Sequence, residues 1–213
     1  MDQQTAKILI SKGETTTVEF KMKANHPEKI IREVVAFANT EGGHLFIGVA
    51  DNRTIAGLKY PDEDEYVLVK SIEELCRPQI DFEVETIRFQ EDLQILHFDI
   101  KEGTDKPHFA FLEKRHRYGK AFVRVNDKSI QASYEMRKIL KERDKNKNPI
   151  SFEESTMELF KYFEKNPSIT LSQYRQLSGL NKRLASNKLV SLALSGALRI
   201  VPNEGEDLFT PIQ

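Results

Sequence analysis

The sequence predicts an α+β protein in which a first domain, with a mixed sheet and flanking helices, precedes a small, mainly helical domain. Three observations support this architecture. In the first two-thirds of the chain, short β-branched and aromatic runs alternate with segments of helical period. After residue 149 the period is helical until two short strands near the end. Between these parts, residues 143–149 are polar and charged, as in a linker. We therefore expect one domain at residues 1–146 and a second at residues 149–213.

The composition is that of a globular protein. Hydrophobic residues make up 39% of the 213 positions and charged residues 31%. Cys76 is the only cysteine, so no disulfide can form within the chain, and residues 1–14 lack the apolar core of a signal peptide. No apolar run approaches the ~20 residues that a membrane helix needs. These features predict a cytoplasmic protein without a membrane partner. The formal net charge of -1 means that any basic surface for nucleic acid must be local.

The first domain is expected to begin with a strand over residues 15–21. Its Val18 and Phe20 should face the core, whereas Glu19 should lie on the opposite side. A glycine pair at residues 42–43 should end the following helix in a tight turn, which we favour over a backbone nest for phosphate. The other elements expected here are a helix around Ile30–Ala38, strands at Leu45–Val49, Phe82–Phe89, Leu93–Ile100, His108–Leu112 and Ala121–Val125, and helices at Asp62–Cys76 and Tyr134–Arg143.

The second domain is expected to contain three helices and a hairpin. Capping-box patterns begin the first two helices. The expected elements are a helix from about Ser151, a helix from about Thr170, a turn at Ser178-Gly179, a helix at Lys182–Ser195, and strands at Leu198–Val201 and Leu208–Phe209. Helix, helix, turn, helix and hairpin within roughly 60 residues is the winged helix-turn-helix arrangement.

Several motifs of the first domain occur in the order of a known family. They are Glu14, the triplet Glu19-Phe20-Lys21, the run Ala36–Gly43, the run Ile47–Asp51, the run Ile55–Leu58 and the late segment Ala121–Asp127. Together, over about residues 10–140, they resemble the Schlafen AlbA-type domain. The resemblance implies a DNA-binding domain of the kind found beside a helix-turn-helix in bacterial transcriptional regulators, and this chain has that layout. It implies DNA as the partner, RNA as the alternative and, because related domains often pair, a homodimer.

The densest basic stretch of the first domain lies around two of its late strands. Its basic residues are Lys114, Arg115, Arg117, Lys120 and Arg124. Such side chains would pair with phosphates, and Tyr118 among them could stack on a base. The alternative is a solvated hairpin tip, as most charge runs are. The family resemblance gives the two interpretations equal weight.

The third helix of the second domain is another candidate DNA surface. Arg183, Asn187 and Ser191 are four positions apart and project from one side, away from the apolar stripe. Arg can read guanine and Asn can read adenine in a major groove, and Lys182 adjoins them. Leu194 shares this side and would prefer a protein interface to a groove. The turn between the last two strands is acidic, with Glu204, Glu206 and Asp207. Acidic residues should avoid phosphates, so an oligomeric protein-interaction scaffold is a further alternative.

Glu14, Glu19 and Asp51 raise the alternative of a metal-dependent endoribonuclease. The resemblance implies it, because Schlafen ribonucleases are thought to use three carboxylates and these positions match their pattern. Clustered carboxylates could hold Mg²⁺ or Mn²⁺ and position an attacking water. Residues five apart on a regular strand point to opposite faces, so Glu14 must lie in a turn or after a bulge. Asp51 also suits a purely structural turn.

Three hypotheses follow, in order of preference. The first is a transcriptional regulator that contacts duplex DNA through both domains and needs neither catalysis nor a cofactor. The second is the endoribonuclease, with Mg²⁺ or Mn²⁺ as its cofactor. The third is the protein-interaction scaffold. No Walker-type phosphate loop occurs, so the sequence does not support ATP hydrolysis.

Overall fold

The computed structural model describes residues 1–112, 118–143 and 154–212. Contacts divide the chain into two compact units, Met1–Gln131 and Ala132–Gln213. No helix within the described ranges is both long enough and apolar enough to cross a membrane.

The first unit is built on a mixed sheet. In chain order its elements are α1 (Gln3–Lys12), β1 (Val18–Lys21), α2 (Pro27–Asn39), β2 (Gly43–Ile47), α3 (Pro61–Leu75), β3 (Cys76–Arg77), β4 (Phe82–Gln90), β5 (Leu93–Ile100), β6 (Phe109–Ala110), β7 (Phe122–Val125) and β8 (Lys128–Gln131). The sheet has the order β1-β2-β5-β4, in which β1 and β2 are parallel and the other neighbours antiparallel. Two short ladders pair β3 with β6 and β7 with β8.

Helices cover both faces of this sheet. On one face, Ala6 and Ile10 of α1 belong to a core with residues of β1, β2, β4 and β5. On the other face, α2 and α3 bury their apolar sides against β2 and β5. Successive residues of β2 divide between the two cores: Phe46 belongs to the first, and Leu45 and Ile47 belong to the second, as a period of two requires. The predicted α+β class, with a mixed sheet and flanking helices, is confirmed.

Strand β1 is buried on both sides, which differs from the expectation of one core-facing side. Val18 and Phe20 enter the core beneath α1, as predicted. Glu19 points the other way but is only 5% exposed, because Arg124 of β7 lies against it. The alternation of the strand is therefore as predicted, but the polar face is not a solvent face.

The glycine pair ends α2 in a tight turn, as expected. Gly42 has a φ of 74°, and its N–H donates to the carbonyl oxygen of Phe37. A Cβ on Gly42 would lie 2.6 Å from the carbonyl oxygen of Ile100, and one on Gly43 would lie 2.5 Å from the Phe37 ring. Close packing of the turn therefore accounts for both glycines without a phosphate.

The sequence does not predict α1, β3 or β8. α1 begins at Asp2, whose side chain accepts the N–H of Thr5, and it buries only Ala6 and Ile10. A helix that buries so few side chains has no clear apolar stripe, so its sequence looks like that of a polar chain end. The two strands have two and four residues, too few for a periodic pattern to appear.

The second unit contains helices and one hairpin. Its elements are α4 (Tyr134–Glu142), α5 (Glu154–Phe163), α6 (Leu171–Ser178), α7 (Lys182–Leu194), β9 (Leu198–Val201) and β10 (Leu208–Pro211). The predicted capping box at Thr170 and Gln173 is present, and Gly179 ends α6 in the left-handed conformation. β9 and β10 are antiparallel, and Ile169 forms a bridge with Phe209. From α5 onward, this is the predicted order of elements.

The division between the units lies before α4 rather than after it. The boundary predicted at residues 146–149 would assign α4 to the first domain. Contacts instead place α4 in the second unit, where it lies against α7. Residues 144–153, which include most of the predicted linker, lie outside the described residues.

Candidate nucleic-acid interface

The basic stretch of the first unit is only partly described. Lys114, Arg115 and Arg117 lie outside the described residues. Lys120 is exposed and pairs through its backbone with Ala110, whereas Arg124, in β7, is buried. The predicted stretch is therefore not one continuous surface, because its last member points into the protein.

Arg124 belongs to a buried network of opposite charges. Its side chain is 0% exposed, with Nη1 2.9 Å from Glu19 Oε2 and 2.8 Å from Glu33 Oε2. Nη2 donates to the carbonyl oxygen of Thr15 at 2.6 Å, and the guanidinium lies 4.8 Å from the centroid of the Phe37 ring. These contacts link β7 to β1 and α2. Arg124, which the sequence assigned to nucleic-acid binding, is therefore inaccessible in this arrangement, because phosphate could reach it only if this network opened.

The three carboxylates of the nuclease hypothesis lie around the start of β1. Glu14 occupies a bend before the strand, as predicted, and accepts the N–H of Phe20 at 3.0 Å. Burial raises the pKa of the Glu14 carboxyl, and the negative charges of Glu19 and Asp51 add to this rise while the Phe20 N–H opposes it. Asp51 lies exposed in a turn. Glu14 therefore lies close enough to both of the other carboxylates to interact with them electrostatically.

These carboxylates do not fit a metal ion as arranged. Lys21 Nζ lies against Glu19 Oε1, and Arg124 occupies Glu19 Oε2. In the part of the chain that the structure describes, no three His, Cys, Asp or Glu side chains are placed to share one ion. Glu19 therefore neutralises Arg124, and metal binding would require it to exchange that partner.

Asn39, which lies in the Ala36–Gly43 motif, ties the end of α2 to two neighbouring backbone segments. Its side-chain N–H groups donate to the carbonyl oxygens of His108 and Phe122, each at 2.9 Å, and its Oδ1 accepts the N–H of His108 at 2.7 Å. Asn39 thus joins the end of α2 to β7 and to the residue before β6. Its role is structural, since all these contacts are to backbone and the side chain is buried.

The first turn of α7 is exposed, but the middle of the helix is covered. Lys182 and Arg183 are exposed at the start of the helix. Asn187, one turn further, is half-buried, and its Oδ1 accepts from Lys138 Nζ of α4 at 2.9 Å. Ser186 is buried and donates to Glu135 of α4 at 2.6 Å. Helix α4 therefore lies on the side of α7 that the sequence assigns to base reading. Asn187 is not a free base reader in this arrangement.

A cleft of about 750 Å³ opens beside this exposed turn. The residues around it come from the first two turns of α4, α6 and α7, from the turn between β9 and β10, and from β10 itself. Its basic members are Lys138, Arg175, Lys182 and Arg183. Sequence reasoning did not identify Arg175. It lies about one turn into α6, whose start at Thr170 was predicted.

The acidic residues of the cleft already accept hydrogen bonds. Glu135 accepts from Ser186, and Glu206 accepts from Ser172 at 2.5 Å. The Ser172 hydroxyl lowers the pKa of Glu206. Asp207 accepts from Ser133. Burial raises the pKa of Asp207, although the donors around it oppose this rise. The acidic turn predicted to repel phosphate is thus partly engaged by the protein itself.

Comparison with known proteins places the first unit in a family. The model of the family described as "Schlafen, AlbA_2" matches residues 14–133. The chain is also similar to the solution structure of the N-terminal domain of a RecG-related protein from Nitrosomonas europaea, at 20% identity and a TM-score of 0.43, over 60% of this chain and 93% of that one.

A second similar structure is the crystal structure of the DIP2311 protein from Corynebacterium diphtheriae, at 17% identity and a TM-score of 0.46. That match covers 69% of this chain, which corresponds to 29% of the other protein's length. The family match extends over more than half of the 213 residues, and the chain therefore belongs to the Schlafen AlbA_2 family.

Proposed function

We propose that the protein is a DNA-binding transcriptional regulator whose second unit binds duplex DNA as a winged helix-turn-helix. The order of its elements supports this. α6, the left-handed turn at Gly179 and α7 follow one another as in a helix-turn-helix, and the β9–β10 hairpin follows as a wing. The bridge between Ile169 and Phe209 adds a third extended segment to the hairpin.

The proposal depends chiefly on the exposed cations where α6 meets α7. Arg175, Lys182 and Arg183 are all exposed. Within the described residues, none of them forms an ion pair with a carboxylate. Three exposed positive charges on a chain of net charge -1 are the kind of local surface that DNA phosphates need, and only Lys182 among them interacts electrostatically with a nearby carboxylate, Glu206, in the described residues.

We propose that the first unit adds phosphate contacts through its basic stretch without Arg124. The residues concerned are Lys114, Arg115, Arg117 and Lys120. The exposure of Lys120 supports this, as does membership in a family that the sequence resemblance associates with DNA binding. A homodimer remains a prediction of that resemblance.

Base reading by α7 should be limited while α4 covers it. Of the two predicted base readers, Arg183 is exposed, whereas Asn187 is bonded to Lys138. Most of the affinity should therefore come from phosphate contacts, with discrimination between sequences resting on Arg183. This is the binding mode in which affinity falls steeply with salt.

Fluorescence anisotropy with a labelled duplex selected from a random library, over a salt series, tests the proposal. Lys182→Ala should weaken binding to selected and random duplexes alike and reduce the salt slope by about 0.9. Arg183→Ala should cost about 1–3 kcal/mol at the selected site and reduce discrimination. Arg115→Ala should act like Lys182→Ala if the first unit contacts phosphates.

Lys161→Ala, which removes an exposed cation from α5 outside the cleft, is the matched control and should leave binding unchanged. Absence of duplex binding at low salt would contradict the proposal. So would equal effects of Lys161→Ala and Lys182→Ala, since binding would then follow overall charge. Either result would favour the protein-interaction scaffold.

A further inference from the structure

The cleft of the second unit has the size of a small-molecule site. Its volume of about 750 Å³ lies within the roughly 300–1,000 Å³ of ligand pockets. Leu171 and Phe209 provide apolar surface, and Tyr134, which also lines the cleft, is 59% exposed. A ligand here would meet an apolar floor, an aromatic ring and a set of charged side chains.

Basic side chains outnumber acidic ones in the lining of the cleft. Lys138, Arg175, Lys182 and Arg183 line it together with three carboxylates, Glu135, Glu206 and Asp207, each of which accepts a serine hydroxyl of the same unit. By contrast, the side chains of Arg175 and Arg183 have no hydrogen-bond or ion-pair partner among the described residues. The guanidinium group presents a planar fork of donors that matches the oxygens of a phosphate.

The backbone adds to this preference, because three helices begin at the cleft. α4, α6 and α7 contribute first-turn residues to its wall and have 9, 8 and 13 residues. The N-terminal end of each helix carries a partial positive charge from its aligned peptide dipoles. Side chains and backbone thus contribute positive potential to the same space.

We propose that this cleft binds a small organic phosphate, with Arg175 and Arg183 on the phosphate and the Tyr134 ring beside the organic part. Lys182 and Arg183 are also proposed DNA contacts, so the ligand and DNA would compete. The ligand site stands independently of DNA binding, whereas the competition rests on the proposed function. The competition would make the protein a regulator that releases DNA when the phosphate compound accumulates.

Isothermal titration with AMP, adenosine and inorganic phosphate, in the full chain without DNA, tests the site. AMP should bind saturably with one site per chain and inorganic phosphate more weakly, while adenosine should not bind. Arg175→Ala should weaken AMP binding by about tenfold or more, since a charge-assisted hydrogen bond is lost. Arg199→Ala removes an exposed cation of β9 that does not line the cleft, and it should leave AMP binding unchanged.

Two results would overturn the ligand site. One is no binding of AMP or phosphate. The other is AMP binding that is weakened equally by Arg175→Ala and Arg199→Ala, or that is abolished by sulfate at matched ionic strength. Either observation would indicate an adventitious ion only. If Arg175→Ala fails to fold, Arg175→Lys replaces it, provided that its circular dichroism matches that of the native chain. Lys keeps the charge but loses the planar fork of donors, so AMP binding should still weaken.

The competition arm uses the labelled duplex. AMP should raise the apparent Kd for DNA in the native chain and have a smaller effect in Arg175→Ala. AMP binding without any duplex binding would refute the proposed function and leave the ligand site intact. Duplex binding without AMP binding would refute the ligand site and leave the proposed function intact.

Discussion

At the scale of single residues, burial rather than residue type determines what Arg124 does. Its guanidinium is enclosed between Glu19 and Glu33, and the partners lie on β1 and α2. A charge taken out of water is tolerated only when it is paired and hydrogen-bonded. Arg124 Nη1 and Nη2 meet this condition, while Nε has no hydrogen-bond partner. The residue is thus part of the core of the first unit.

Replacing Arg124 should therefore lower stability rather than DNA affinity. In Arg124→Ala, Glu19 and Glu33 lose their buried counter-charge, and breaking such a pair costs about 3–5 kcal/mol. We expect the free energy of unfolding, measured by urea denaturation, to fall by this amount. Lys120→Ala, which removes an exposed cation of the same stretch, should change it by less than about 0.5 kcal/mol. An unfolding free energy of Arg124→Ala equal to that of the native chain would contradict the buried network.

The same network bears on the nuclease hypothesis. Glu19 would have to bind a metal while it neutralises Arg124 and Lys21. Loss of Glu19 would leave a buried cation without one of its two carboxylates. A change in activity on substitution of Glu19 would therefore need a parallel measurement of unfolding before it could be assigned to catalysis.

At the scale of elements, three polar contacts among the described residues hold α4 against the rest of the second unit. Ser133, the N-cap of α4, donates to Asp207 just before β10. Within the first two turns of the helix, Glu135 and Lys138 bond to α7. These contacts place the helix across the proposed recognition surface.

The burial of Asp207, which raises the pKa of its carboxyl against the opposing hydrogen bond from Ser133, should make stability depend on pH. Because folding raises the pKa of Asp207, the folded state holds its proton more tightly than the unfolded chain. The contribution of Asp207 is therefore fully present below the ordinary aspartate pKa of 3.8 and is lost as pH rises through the raised value. Asp207→Asn removes this pH dependence. The substitution also loses one hydrogen-bond acceptor, which changes the free energy of unfolding by the same amount at every pH.

We therefore expect the unfolding free energy of Asp207→Asn, relative to the native chain, to increase as pH rises from about 4 toward 7. Urea denaturation at several pH values measures it. Glu204→Gln, which removes an exposed carboxylate from the same turn, is the control for the loss of charge alone. A difference that decreases with pH would show that folding favours the ionised form of Asp207 instead.

At the scale of the whole molecule, the domain boundary predicted from the sequence differs from the boundary that the contacts define. The polar composition around residues 143–149 predicts a linker after α4, whereas the compact units meet after Gln131. Both can be tested at once, because a cut at the predicted linker would leave α4 on one fragment and its partner α7 on the other.

Limited trypsin digestion should cut between Arg143 and Asn148 and give two fragments on a denaturing gel. The fragments should nevertheless elute together from a native size-exclusion column, because α4 stays in contact with α7. Lys138→Ala combined with Glu135→Ala should favour their separation. Separation of the native fragments would show that α4 belongs with the first unit. Resistance of this segment with rapid cutting elsewhere would refute the linker.

Most of the elements could be predicted because the signals for them are local. The capping box at Thr170, the glycine turn after α2 and the alternation of Val18 and Phe20 each depend on a few neighbouring residues. The order of the short motifs along the chain likewise sufficed to identify the family resemblance of the first domain. For the same reason, α1, with only two buried side chains, gave no signal.

The sequence by itself thus determined the α+β class, the order of most elements and the residues eligible to bind nucleic acid. Only the tertiary structure decided which of those residues are accessible. Arg124 is buried because Glu19, 105 positions away, meets it across packed strands, and Asn187 is covered because Lys138, 49 positions away, reaches it from α4. Periodicity describes the residues that share a face of one element, but accessibility depends on which distant element packs on that face.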